Sequence, residues 1–251
     1  MSFAVAAEAY DAFMGRFSVP LAVAFADVMR PQPGQRVLDV GSGPGALTAE
    51  LLRRGVRVTA VDPMEGFVAA LIARHPEVEA HVAAAERLPF VDAEFDAAGA
   101  ELVVHFMADP VAGLTEMSRV TRPGGLVAAC VWDNAGEGSP LAPFWRAVRD
   151  CGHRVDDESG LAGSTDGAVA DLMRRAGIAD VRAGSVSTEV TFAAFDDYWE
   201  PFMLGVGPAG DHVATLDEAA RAELRGRCHD ILGPAPITVR AVAWSAVGRA
   251  D

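Results

Sequence analysis

Val37–Gly45 reads Val-Leu-Asp-Val-Gly-Ser-Gly-Pro-Gly, and its reading decides the fold. Val37, Leu38 and Val40 form a short apolar run of the kind buried on both faces of a parallel sheet. The run ends at Gly41, Gly43 and Gly45, and Leu47, Leu51 and Leu52 then recur at helical spacing. Strand, glycine turn and helix open a βαβ unit that binds a nucleotide-like ligand. Glycine suits the bend because the chain turns tightly there and a ligand approaches the bare backbone.

The turn by itself leaves two ligands open. Gly41-x-Gly43-x-x-Ala46 fits the loose form of the dinucleotide fingerprint. Asp39, inside the strand, points elsewhere, because a buried carboxylate needs a partner. A cationic ligand serves, and so do backbone N–H groups of the loop. A pyrophosphate would be repelled. A ligand with a charged amino-acid end fits, and S-adenosylmethionine (SAM) has one. Val56–Val61 reads as the second strand and ends in Asp62. An acid roughly 20 residues beyond such a turn accepts both ribose hydroxyls of an adenosine cofactor of either kind.

Val37–Gly45 resembles motif I of the class I SAM-dependent methyltransferases. The segments downstream are similar in order to those of the branch that includes the ubiquinone/menaquinone-biosynthesis methyltransferases. The resemblance runs from about Arg36 to Trp132. It implies an α/β, Rossmann-like fold: a seven-stranded, mostly parallel sheet with an antiparallel last strand and helices on both faces. It also implies SAM as cofactor and S-adenosylhomocysteine (SAH) as product. Asp39, Gly41, Gly43 and Asp62 take the cofactor positions, and Pro63 and Met64 lie where the family packs adenine. Ala84–Phe90 is similar to the family segment Asp-Ala-Glu-x-Leu-Pro-Phe, except that Ala84 replaces the aspartate. Adenine recognition then falls to the backbone near Ala85 or to Glu86. Phe95–Val104 reads as strand and exit, with Glu101 facing SAM and His105 as the candidate catalytic proton acceptor. Thr121–Gly125 reads as a glycine-rich turn into the strand Leu126–Trp132.

The flanks are less regular. Ala4–Ala12 and Val19–Met29 have helical composition, with Pro20 in a first turn. Between them lie Tyr10, Phe13, Met14 and Phe17, either core against the sheet edge or a lid. As a lid, Tyr10 and Phe13 line an acceptor pocket and Arg16 reaches the SAM carboxylate. Trp132 and Trp199 are further candidates for pocket walls. Helices are expected at Phe144–Cys151 and Asp166–Gly177, and strands at Ala179–Phe192 and Ile237–Val247. The chain reads as one domain, 1–251: a helical cap (1–30), a SAM-binding core (31–133) and a C-terminal half (134–251) with a lid insertion at about 195–233.

Composition narrows the chemistry. All 21 basic residues are arginine, so a lysine nucleophile or Schiff base is excluded. A net charge of −14 opposes binding to nucleic acid. The three cysteines are far apart, which fits reduced thiols in the cytoplasm. No secretory signal or membrane span is expected. His153 with Asp156, Asp157 and Glu158 lacks ordered ligand spacing and reads as a solvated acidic loop, so no metal is expected. The expected function is methyl transfer from SAM to a small apolar or aromatic molecule by a monomer or homodimer. The alternatives are an NAD(P)-dependent oxidoreductase and a non-catalytic SAM-binding protein.

Overall fold

Val37 and Leu38 are neighbours in β1 (Arg36–Val40), yet they enter two different apolar cores. That period of two is what a strand covered on both faces requires. In the computed structural model, residues 7–153 and 157–251 are described. The first three residues of the expected Ala4–Ala12 helix, and Asp156, lie outside them.

The N-terminal helices α1 (Ala7–Tyr10) and α2 (Arg16–Met29) precede β1. Then follow α3 (Ala46–Arg53), β2 (Arg57–Asp62), α4 (Glu65–Arg74), β3 (Glu79–Val82), β4 (Phe95–Glu101), α5 (Pro110–Val120) and β5 (Thr121–Trp132). The C-terminal half holds α6 (Ala142–Asp150), α7 (Ala168–Arg175), β6 (Ala179–Phe192), α8 (Phe195–Trp199), α9 (Gly207–Ala214), α10 (Glu218–Leu232) and β7 (Ile237–Arg249). The sheet order is β3-β2-β1-β4-β5-β7-β6. β7 runs antiparallel to both neighbours and the other described pairings are parallel, as the sequence leads one to expect. Val37, Val58, Ala97 and Ala128 share one core with α2, α3 and α6; Leu38, Ala98 and Val127 share the other with α5 and α7.

Two local expectations are corrected. Tyr10–Ser18 does not separate two helices: a π-helical segment, Asp11–Gly15, joins α1 to α2. The wider turn brings Phe13, Met14 and Phe17 together onto the buried side. Pro20 therefore lies inside α2, where its missing N–H leaves one helical carbonyl without its usual donor. By length and composition Ala7–Met29 is apolar enough to cross a membrane, but more than half of its most apolar window is buried inside this fold. The second correction concerns Arg122–Gly125. They are a bulge within β5, since Phe95 pairs with Thr121 while Ala97 pairs with Leu126. The bulge is tied to the end of the chain: Gly124 N–H donates to the Ala250 carbonyl and Ala250 N–H to that of Gly125.

Sheet order reverses at β1, which has β2 on one side and β4 on the other. A crevice opens beyond the carboxyl ends of strands at such a switch point. It lies beside the glycine turn after β1 and beside Glu101 at the end of β4.

Candidate active site

Leaving β1, the chain bends toward β2, where the Gly41 and Ser42 N–H groups donate to the Val61 carbonyl at 2.8 and 3.0 Å. Gly41 and Gly43 both have positive φ, +68° and +52°. A Cβ on Gly41 would strike Val103, whereas a Cβ on Gly43 would point into open space. Asp62 closes β2 and accepts from Gly43 N–H (2.9 Å) and Met64 N–H (2.8 Å). It therefore fixes the turn and the start of α4 together.

Asp39 is fully buried, and Thr48 Oγ1, on the helix after the turn, donates to its carboxylate at 2.6 Å. The sequence asked for a partner to Asp39; Thr48, a helical residue nine positions on, was not foreseen. Burial pushes the Asp39 carboxyl up to about 7 against that hydrogen bond, with Asp62 adding to the rise. Both Glu101 oxygens are buried without a hydrogen-bond partner among the described residues. Burial and the nearby Asp39 raise Glu101 well above the usual carboxylate range. Leu102, which follows it, holds a left-handed φ of +60°, the kind of strain retained at sites that a surrounding structure over-determines.

Three acids thus converge where the strand order reverses. Arg74, beside the turn, is committed to the Pro44 carbonyl and the Asp11 carboxylate. A cationic ligand suits this place. The orphaned Glu101 carboxyl and the open side of Gly43 fit the amino-acid and nucleoside ends of SAM.

The acids also set a pH dependence. Asp39 and Glu101 hold their protons more tightly folded than unfolded. Through Asp39 the folded state therefore binds more protons between about pH 4 and 7, and that contribution to stability falls as pH rises through the window; Glu101 acts in the same direction, and buried His105 opposes them below its ordinary range. The ligand-free protein is expected to melt several degrees lower at pH 8 than at pH 5.5. Asp39→Asn keeps an acceptor for Thr48 and should flatten that slope; a slope identical to wild type would show that Asp39 is not the cause.

Tyr10 sits across these acids. It is half-buried by overall exposure, and its ring meets Phe67 edge-on at 5.3 Å. Enclosure of its hydroxyl, then Glu101, Asp62, Asp11 and Glu158, raise its ionisation range. On its other side is an inner cavity of about 40 Å³, walled by Tyr10, Phe13, His105, Trp132, Glu158 and Pro208, among others. That volume is too small for an aromatic ring, so its walls must part to admit one. His105 is buried, its Nδ1 has no partner among the described residues, and burial lowers it to about 3. A larger cavity of about 570 Å³ lies at the opposite end of the sheet, by Arg30, Asp96 and Arg122. None of the expected site residues lines it, and ligands of such sheets bind at the other end.

Other expectations fare differently. Met64 is half-buried beside Asp62 and Pro63 is exposed. Ala85 packs into the core shared with α5, and Glu86 accepts from the Asp109 N–H at 3.1 Å. The Arg16 guanidinium, expected at the SAM carboxylate, donates to the carbonyls of Asp197 and Tyr198 and stacks over Phe192, 4.7 Å from the ring centre. These contacts tie α2 to α8. Trp199 stacks on Phe195 and lies beside Phe144 and Phe202 in the core shared with α2 and α6, and it does not line the cavity. Glu158, read as part of a solvated loop, faces the cavity instead.

Residues 38–129 match the family model described as a methyltransferase domain. Over this stretch the chain is similar to methyltransferase domains. A demethylmenaquinone methyltransferase of Beutenbergia cavernae is 39% identical over 118 residues, 47% of this chain and 48% of that protein. The chain spans about half the length of the curated relatives it matches. Among solved structures, the chain resembles a phosphoethanolamine N-methyltransferase of Haemonchus contortus in complex with SAM. The TM-score is 0.60 at 17% identity, covering 98% of this chain and 57% of that one. A putative methyltransferase from an antibiotic biosynthesis pathway of Anabaena variabilis gives a TM-score of 0.61 at 15% identity, covering 91% and 96%. At such identities the likeness is one of fold.

Proposed function

We propose that this chain transfers a methyl group from SAM to a small aromatic acceptor. One observation carries the reading: Asp39, Asp62 and Glu101 meet around a bare-backbone turn at the sheet's switch point. Asp62 would hold the ribose hydroxyls, and Asp39 and Glu101 would face the cationic amino-acid end. When bound, SAM supplies a methyl group on a sulfonium, whose broken C–S bond leaves its electron pair on sulfur. The chain's own work is then to hold the acceptor in line and to exclude water. The aromatic walls at Tyr10, Phe13 and Trp132 suit both tasks. The name of the Beutenbergia cavernae relative supports an aromatic, quinol-like acceptor.

The same reading has the protein act on a small molecule in the cytoplasm, as a monomer or homodimer. Three free cysteines support the reducing compartment, and the net charge of −14 argues against nucleic acid as substrate. Thermal shift with SAM, SAH and NAD tests the cofactor. Stabilisation by SAM and SAH but not NAD is expected, and the reverse would overturn the reading in favour of an oxidoreductase. Methylation of a panel of aromatic acceptors, followed by mass, separates an enzyme from a non-catalytic SAM-binding protein.

A further inference from the structure

Glu158 begins a short 3₁₀ turn, Glu158–Gly160, and its backbone is fixed locally. Its carbonyl accepts from Leu161 N–H (3.1 Å) and Ser164 Oγ (3.2 Å), and the Asp157 carboxylate accepts from Ser159 N–H (3.0 Å). Besides a small space beside Asp157 and Arg149, Glu158 lines two others. One is the inner cavity with Tyr10, His105 and Trp132. The other is an outer groove of about 470 Å³ with Trp145, Asp211 and His212. Pro208 borders both as well, so Glu158 and Pro208 stand where the groove meets the cavity.

The polar groups left over in the inner cavity describe what would fill it. Trp132 and His105 are 4% and 6% exposed, and both Trp132 Nε1 and His105 Nδ1 have no partner among the described residues. The indole N–H can only donate, and an ionised Glu158 can only accept. A buried polar group left unmatched is costly, so the ligand must both accept and donate. An ammonium would leave Trp132 unmatched; an ether or a carboxylate would leave Glu158 unmatched. An amide has both capacities but is no nucleophile. A hydroxyl has both and is one.

We propose that Glu158 is the general base of the reaction and that the acceptor is a hydroxylated arene whose hydroxyl lies between Glu158 and Trp132. The proposal rests on the methyl-transfer reading above. The acceptor O–H bond breaks and its proton joins a Glu158 oxygen. The electron pair stays on the acceptor oxygen, making that oxygen the nucleophile. The proton then leaves to solvent through the outer groove, whose wall Glu158 also forms. Glu158 suits the task better than His105. Burial and then Asp157 raise Glu158 to about 7, near working pH, whereas burial leaves His105 a weak base. The other ionisable groups facing Glu158 are Tyr10 and His105 in the cavity, Asp211 and His212 in the groove, and Asp157 with Arg149, 3.8 Å apart, on the third side.

The test uses the full chain with SAM or SAH and 2-naphthol as the probe. In wild type, kcat/KM for naphthol methylation should rise with pH through about 7 and then level off. Glu158→Gln should lose that limb and lower kcat by about 10²–10⁴-fold. SAH affinity should stay within about twofold, and 2-naphthol affinity should change little, because the amide oxygen still accepts. Trp132→Phe should weaken 2-naphthol binding about tenfold, at unchanged SAH affinity, for loss of one hydrogen bond to a buried donor. A wild-type pH limb in Glu158→Gln, no methylation of 2-naphthol by a wild type that binds SAH, or preference for 2-naphthylmethylammonium would each overturn the proposal. Failure to bind SAH would instead sink the methyl-transfer reading itself.

Discussion

Asp62→Ala is expected to weaken SAH binding by about 10²–10⁴-fold, measured by calorimetry. The carboxylate would make two charge-assisted hydrogen bonds to ribose, each contributing about 1.5–3 kcal/mol, and about 1.4 kcal/mol is tenfold in affinity. The structure adds a second reason for a large effect. The same oxygens accept from Gly43 and Met64 N–H groups, so alanine also releases the turn that the ligand lies against. Asp62→Asn separates the two contributions. It keeps one acceptor oxygen but carries no charge, and should fall between wild type and alanine. Affinity within threefold of wild type in Asp62→Ala would remove ribose recognition from this residue.

The acids were legible in the sequence because their positions follow from the chain's own geometry. A strand of five residues fixes where Asp39 lies relative to the turn, and one helix plus one strand fixes the return to Asp62. Sheet order was accessible through the family resemblance alone, since strand composition does not say which strands pair. What escaped notice depends on contacts between distant parts of the chain. Arg16 finds carbonyls at Asp197 and Tyr198, and no local pattern shows them. Glu158 sits in an acidic stretch that reads as solvated; it is enclosed because the start of α9, at Gly207–Ala209, packs over the same cavity. Thr48 was findable, because a hydroxyl on the first turn of the following helix lies over the end of the preceding strand. The bulge at Arg122–Gly125 was misplaced because Arg-Pro-Gly-Gly signals a chain reversal as readily as an irregular strand.

The two turn glycines should fail in different ways. In Gly41→Ala the new Cβ would lie 2.3 Å from Val103 Cγ2 and 2.6 Å from Val103 Cβ, at a backbone φ of +68°. The left-handed conformation costs a non-glycine residue about 1–2 kcal/mol and the overpacking about 1–3 kcal/mol. Together these amount to about 2–5 kcal/mol, a fall in Tm of about 5–15 °C for a chain of this size. In Gly43→Ala nothing lies within 4 Å of the new Cβ, so only the backbone cost at φ +52° remains. Its Tm should drop by only about 2–8 °C. Yet the methyl would occupy the open side of the turn, where the nucleoside is proposed to approach, and SAH affinity should fall more than tenfold. The pair thus separates packing from binding within one turn. Gly41→Ala should lose stability first, and Gly43→Ala should lose ligand while still folded. A Gly43→Ala protein that binds SAH as tightly as wild type would place the cofactor away from this turn and remove the basis for assigning Asp39, Asp62 and Glu101 to it.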